Sequence, residues 1–524
     1  MQGDVTDSQP VRSPLSRREA LPRPTLGDLV AGVSVALVLV PQALAYAQLA
    51  GMPAYRGLYA AALPPIAAAL VASSPYLQTG PVALTSLLVF GVLSELAEPG
   101  SEEYVRLGLL LALVVGVVRI AVGLLHGGVV AYLLSRPLLV GFMPAAALLI
   151  IASQLPDALG VPSDGGGILE QGWEALTSPG SWDGQAVLLS IAALALVVGG
   201  RRIHRLFPSV LLAVALGVAY STLFDYEAET VGSIPEGLPP LGIDVPWAEL
   251  PQLLVGGVVI ALVGFVEPSS IARTFATRDR QRWDPNREFL GQGMANVAAG
   301  LSGGFPVGGS FSRSALNRDA GARTRWSGAI TGVAVLLFLP VAGVLSPLPA
   351  AVLAAIVIGA VAGLVRLLPI VRLARFSRPQ FLVAATTFVA TLALAPRIDR
   401  AVLVGVGLAV AAHLWRELSL EVPSWTEATT LHLRPSGVLW FGSAARLEDV
   451  FLELLGTHPE AERLVIHLDA AGRVDTTAAL ALRSLVRDAR DAGLEVVFED
   501  VRPRWRRLVE GVIESAEDPL GGGA

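Results

Sequence analysis

The sequence predicts an α-helical polytopic membrane protein with about fourteen transmembrane segments in two inverted seven-segment repeats, followed by a small C-terminal α/β domain. Three observations predict it. The chain is 53% hydrophobic and only 16% charged, with a mean hydropathy of +0.61, whereas a soluble domain carries about 25% charged residues. The charge deficit falls in residues 26–418, and both ends have ordinary polarity. Arginines collect in alternate loops, and one stretch of the first half of the apolar region recurs in the second.

Residues 1–24 are rich in Ser, Pro and Arg and are expected to be disordered. Apolar segments follow at about 26–48, 55–73, 80–96, 104–125, 129–154, 185–200, 206–224, 252–276, 288–302, 310–317, 326–346, 349–367, 379–396 and 400–418. The third and tenth are too short or too interrupted for simple spans of ~20 residues. With the N-terminus cytoplasmic, Arg12 to Arg23, Arg136, Arg201 to Arg205, Arg273 to Arg287, Arg318 to Arg325 and Arg366 to Arg378 all lie inside. The opposite loops, Glu95 to Glu103, Asp157 to Asp183 and Asp225 to Glu249, are acidic. This obeys the positive-inside rule, with Arg56, Arg106, Arg397 and Arg400 dissenting. The expected membrane domain is therefore 25–420, with both termini in the cytoplasm and repeats over about 26–224 and 252–418.

The repeat appears at a spacing of 225 residues. Ala31–Val38 matches Gly256–Val263 with identities at Gly32/Gly257, Val33/Val258, Ala36/Ala261, Leu37/Leu262 and Val38/Val263. The same spacing pairs Gln42 with Glu267, and Pro81-Val82 with Pro306-Val307. Seven segments per repeat is odd, so the second copy is inverted in the membrane, as in transporters whose broken helices meet at the midplane.

Residues 300–317 lie among long apolar segments yet contain little that would span a bilayer. Gly303, Gly304, Gly308 and Gly309 open the backbone, Pro306 lacks an N–H, and a helix can begin near Ser310. Such a break is tolerated at membrane depth only inside protein or beside a wet cavity. Its unpaired amides and dipole favour an anion, and Arg313 adds a full charge in the first turn. In the first repeat Thr79 can act as N-cap, with Pro81 near the first helical position. Two facing half-helix N-termini would bracket one anion, with Arg313, Ser310, Ser312 and the amides near Val82 as donors. Glu267 is costly in an apolar helix unless it titrates, pairs or holds a cation. It is read as a proton- or cation-coupling acid, or else as a structural ion pair or interfacial acid. Gln42 and Tyr46 share a helix face and can line the cavity. Arg119, mid-segment, is read as a structural pairing residue.

Cysteine is absent, which excludes disulfides, thiolate catalysis and Cys-based metal sites. All 38 basic residues are Arg, so there is no Schiff-base lysine and no Walker A lysine. A formal net charge of −6 speaks against a nucleic-acid partner. No cleavable signal peptide is evident. No enzymatic activity, cofactor or metal is expected.

Several stretches together resemble the sulfate permease family of anion transporters: Asp28–Gly32, Pro41–Pro53, Gly57–Tyr59, Thr79–Ala83, Asn286 with Glu288–Gly293, and Gly304–Asn317. The resemblance covers almost the whole chain. It implies fourteen segments forming core and gate domains, an elevator-like movement, a homodimer in a bacterial cytoplasmic membrane, and a sulfate, bicarbonate or dicarboxylate substrate. The implied anion site falls on Gln42, Tyr46, Pro81, Val82, Ser310, Phe311, Ser312 and Arg313, with Glu267 matching the family's acid on the eighth segment. Sodium-coupled members carry a hydroxyl residue one turn later; Ile271 stands there, which leaves proton coupling or exchange open. An anion channel, a non-transporting anion sensor or scaffold, and a nucleobase permease of the same fold are the competing readings.

Residues 430–515 alternate strand and helix patterns: strands at 431–433, 438–441, 463–468 and 495–499, helices at 445–455, 476–492 and 502–513. They resemble a STAS domain, which implies a possible cytoplasmic protein partner. Asp475-Thr476-Thr477-Ala478 occupies the place of the phosphorylation motif of related antagonists, but Ala478 replaces the usual Gly. Helix capping by Asp475 is therefore preferred over regulation through Thr477.

Overall fold

The computed structural model describes residues 23–132, 135–162, 166–203, 207–224, 226–242, 244–418, 421–474, 476–503 and 505. The expected disordered tail and most of the expected last helix lie outside the described residues, as does Asp475. The chain divides into two units, Met1–Gly407 and Leu408–Ala524.

In the first unit the elements run α1 (Leu26–Leu49), α2 (Tyr55–Val71), β1 (Gln78–Gly80), α3 (Ala83–Leu93), α4 (Glu102–Leu124), α5 (Arg136–Leu159), α6 (Ile168–Thr177), α7 (Gly184–Ile203) and α8 (Ser209–Leu223). They continue as α9 (Leu250–Arg278), α10 (Pro285–Leu301), β2 (Gly308–Ser310), α11 (Phe311–Asp319), α12 (Trp326–Phe338), α13 (Ala350–Val361), α14 (Leu368–Phe376), α15 (Arg378–Ala393) and α16 (Ile398–Leu418), which runs into the second unit. Seven helical stretches among the described residues are long and apolar enough to cross a bilayer. Each of the fourteen apolar segments read from the sequence contains a helix; α6 and α14, short and amphipathic, are additional.

Helices from the two halves of the chain interleave: α2 packs against α10 and α12, and α4 against α10. Glycine permits the close crossing of α4 and α10, because a Cβ on Gly116 would lie 2.9 Å from the Gly293 carbonyl oxygen, and one on Gly293 equally close to that of Gly116. Asp28 ties the start of α1 to the other half. Its carboxylate completes a capping box with Thr25 and accepts from the amides of Arg323 and Thr324, each at 2.8 Å. Three of the four dissenting arginines have partners: Arg106 pairs with Asp244 at 2.8 Å, Arg397 with Glu95, and Arg56 donates to the Gly303 carbonyl at 3.0 Å.

The second unit adds β3 (Ser424–Glu427), β4 (Thr430–Leu433), β5 (Gly437–Leu439), α17 (Phe441–Thr457), β6 (Arg463–His467), β7 (Ala471–Val474), α18 (Thr476–Asp491) and β8 (Glu495–Glu499). Its main sheet has the order β3-β4-β6-β8, antiparallel only between β3 and β4, and β5 pairs with β7 in parallel. Leu431, Leu433, Leu464 and Ile466 face one side and bury against Leu447, Phe451, Leu482 and Leu485 of the two helices. The strand-helix pattern thus forms a small α/β domain, with β3 and β7 as strands that the alternation did not announce.

Candidate anion site

The two interrupted segments meet. β1 and β2 pair antiparallel with Gln78 opposite Ser310, Thr79 opposite Gly309 and Gly80 opposite Gly308. The helices that follow have 11 and 9 residues, about 16 and 14 Å at 1.5 Å per residue, too short to cross a ~30 Å hydrocarbon layer. The residues that lead into them, Val82 and Ser310, are both buried.

The N-terminal end of α3 differs from the sequence expectation. Thr79 is not its N-cap and Pro81 is not in its first turn: Val82, extended at φ −142° and ψ 145°, precedes the helix and supplies no side-chain cap. The physical reason is the strand pairing, which holds residues 78–80 extended and commits the Thr79 hydroxyl to the Gln292 amide at 2.7 Å. The first amides of α3 thus have no capping side chain. At α11, Ser310 caps the Arg313 amide at 3.5 Å and lies 3.2 Å from the Ser312 hydroxyl, while Glu267 accepts from the Phe311 amide at 3.4 Å.

Arg313 joins the parts. It is 1% exposed and donates from Nη1 to Gln42 Oε1 at 3.2 Å and from Nη2 to the Pro81 carbonyl at 2.8 Å. That links α1, the approach to α3, and α11. Tyr46, one turn beyond Gln42, is buried, and both it and half-buried Glu267 feel the Arg313 charge. Ser312 and Phe311 are exposed, and the Phe311 ring stacks on Phe275 at 6.1 Å. A cavity of about 700 Å³ is lined by buried Gln42, by Ser312 and Phe275, and by exposed Arg278, with Pro208 to Leu211 of the α8 region opposite. Gln42, Pro81, Arg313 and Glu267 are therefore brought together, with Val82, Ser310, Phe311 and Ser312 around them. Thr477 lies in the first turn of α18 in the other unit.

A polar frame that the sequence reading did not assemble stands behind the strands. Asn296 mimics a strand neighbour of Val307, accepting its N–H at 2.9 Å and donating to its carbonyl at 3.1 Å. Glu288, Gln292 and Asn296 recur every four residues on α10, all fully buried. That spacing is a signal of one polar stripe. Arg119 is fully buried and donates to the carbonyls of Ala261 at 3.0 Å, Val307 at 2.9 Å and Ile260 at 3.3 Å. Its partners are backbone carbonyls of α9 and of the residue before β2, so its role is structural and needs no acid. A Cβ on Gly264 would fall 2.9 Å from its guanidinium.

Two short helices entered from one shared strand ladder, on interleaved halves of an apolar helical unit, define a polytopic membrane protein with paired interrupted segments. Residues 26–387 match the sulfate permease family and residues 425–515 the STAS domain. The chain belongs to the sulfate permease family, a family of anion transporters. It is 36% identical over 373 residues to a probable sulfate transporter of Mycobacterium tuberculosis, covering 70% of this chain and 67% of that one. It is 34% identical over 403 residues to human solute carrier family 26 member 6, covering 70% and 52%. The fold resembles that of the murine solute carrier 26 family member A9 anion transporter in the inward-facing state, with a TM-score of 0.85 and 20% identity, over 95% of this chain and 88% of that one. The transmembrane domain of a cyanobacterium bicarbonate transporter aligns with a TM-score of 0.63 and 25% identity, over 73% and 97%.

Proposed function

We propose that the chain is a secondary active transporter that carries a small anion, such as sulfate, bicarbonate or a dicarboxylate, by an elevator-like alternation. The anion sits between the N-terminal ends of α3 and α11, held by the amides after Val82, by Ser310 and Ser312, and by the N–H groups that Arg313 does not spend on Gln42 and Pro81. Gln42, Tyr46 and Pro81 complete the wall, and Phe311 closes its wet side. Glu267, at the α11 end, couples the movement to protons.

The observation that supports this reading most is the antiparallel pairing of β1 with β2. It brings the N-terminal ends of α3 and α11 toward one buried guanidinium, and the uncapped donors of α3 are costly there without an occupant. The same antiparallel relation supports the inverted repeat. In this reading residues 25–420 form the transporter domain, residues 430–515 a cytoplasmic STAS domain open to a protein partner, both termini face the cytoplasm, and the chain works as a homodimer in a bacterial cytoplasmic membrane.

Uptake of radiolabelled sulfate and bicarbonate into proteoliposomes tests it. Accumulation above the outside concentration, driven by an imposed gradient, is the expected result. Binding without accumulation makes the protein a sensor, and uptake that never runs uphill makes it a channel.

A further inference from the structure

Arg366, Arg372, Arg375 and Arg378 fall in a short stretch, and no Asp or Glu occurs between Asp319 and Asp399. The helix among them, α14, has 9 residues, about 14 Å, so it cannot cross the bilayer. Of its side chains only Ile370 is buried. Leu368, Val371, Arg372 and Arg375 stand at i, i+3, i+4 and i+7, one face of a helix, and Phe376 beside them is 84% exposed. That face mixes bare hydrocarbon with cations. Arg366 spends its Nε on the Gly363 carbonyl at 3.0 Å, whereas Arg372, Arg375 and Arg378 have no hydrogen-bonding or ionic partner among the described residues.

Water suits the arginines but not Phe376 or Val371; an acidic protein surface suits the arginines and leaves the hydrocarbon to be matched separately. An anionic lipid surface suits both: phosphates meet guanidinium groups while the apolar side chains enter the boundary between headgroups and acyl chains. The neighbouring helix α15 exposes Leu382 and Val389, so the apolar face of α14 continues a surface already suited to lipid. We propose that α14 together with Arg378 is a binding site for anionic phospholipid headgroups. The inference rests on the membrane character of the chain and not on the anion site proposed above.

The test uses the full chain in nanodiscs of mixed phosphatidylcholine and phosphatidylglycerol. Native mass spectrometry reads which lipid stays bound. Each arginine near an anionic surface contributes about fivefold. The variant R372Q/R375Q/R378Q is therefore expected to lose its preference for phosphatidylglycerol at least tenfold, while R446Q/R487Q/R490Q, an equal charge change in the second unit, keeps it. The chain has no cysteine, so Phe376→Cys accepts a single nitroxide. Its relaxation should respond to oxygen dissolved in lipid and little to a water-soluble nickel chelate. The proposal is overturned if the first variant keeps its preference, if the control loses as much, if the nitroxide is open chiefly to the chelate, or if it is shielded from both reagents, which would mean that protein covers the face. None of these readouts involves transport, so failure here leaves the transport reading standing, and the reverse.

Discussion

Arg313→Gln is the sharpest perturbation of the proposed site. The wild-type guanidinium makes two hydrogen bonds, to Gln42 at 3.2 Å and to the Pro81 carbonyl at 2.8 Å, and brings a full charge to a position 1% exposed. An anion ~6 Å from that charge at an effective dielectric of about 20 gains about 3 kcal/mol. Its removal is expected to raise the half-saturation concentration roughly 100-fold. Losing the bond to Pro81 leaves a buried carbonyl without this donor, a stability cost of about 1–3 kcal/mol. Arg313→Lys separates the two effects: it keeps the charge but not the two-pronged reach, so its half-saturation should stay within about tenfold of wild type. The assay is initial-rate sulfate and bicarbonate uptake in proteoliposomes, on protein shown to be monodisperse. If Arg313→Gln keeps wild-type half-saturation, or if Lys is as damaging as Gln, the charge does not act on the anion and the reasoning fails.

Glu267→Gln should abolish the dependence of uptake on an imposed proton gradient while leaving anion exchange; an unaltered response to the gradient removes the coupling role. Gly57→Ala should lower stability by about 1–3 kcal/mol, because its Cβ would run into the Ala43 backbone carbonyl, next to Gln42. An unshifted melting temperature would show that α1 yields there. In the second unit, hydrogen bonds from Arg434 hold the Asp469 carboxyl down at about 2. A depressed folded-state pKa gives stability that is full above the ordinary carboxylate value and lost as pH falls toward about 2. The stability difference between wild type and Arg434→Gln should therefore be constant near neutrality and vanish over that acid window in thermal melts. A difference that persists at the acid end contradicts the pairing.

Most of the helical plan was legible because lipid-exposed and buried helices both need long apolar runs, and these leave an unmistakable composition. α6 and α14 were missed because a short amphipathic helix lacks such a run; α14 reads as an Arg-rich loop until its face is seen. The meeting of the two broken segments was legible from Gly303 to Gly309 and from the Gly80-Pro81 pair. The capping pattern was not. Thr79 has the chemistry of an N-cap, but strand pairing overrode that local preference and gave its hydroxyl to Gln292. Arg119 could be seen as buried but not assigned partners, because backbone carbonyls leave no trace in the sequence. Asn296 was within reach, since Glu288, Gln292 and Asn296 repeat with helical spacing.

The ladder between residues 78–80 and 308–310 has a consequence for how any occupant escapes. Walls drawn from distant parts of the chain are zipped into one piece. Prising them apart would strand peptide groups where no solvent waits to receive them. On the elevator-like reading proposed above, the cage does not open like a pair of jaws but travels whole, and its guest leaves when the facing helices slide aside.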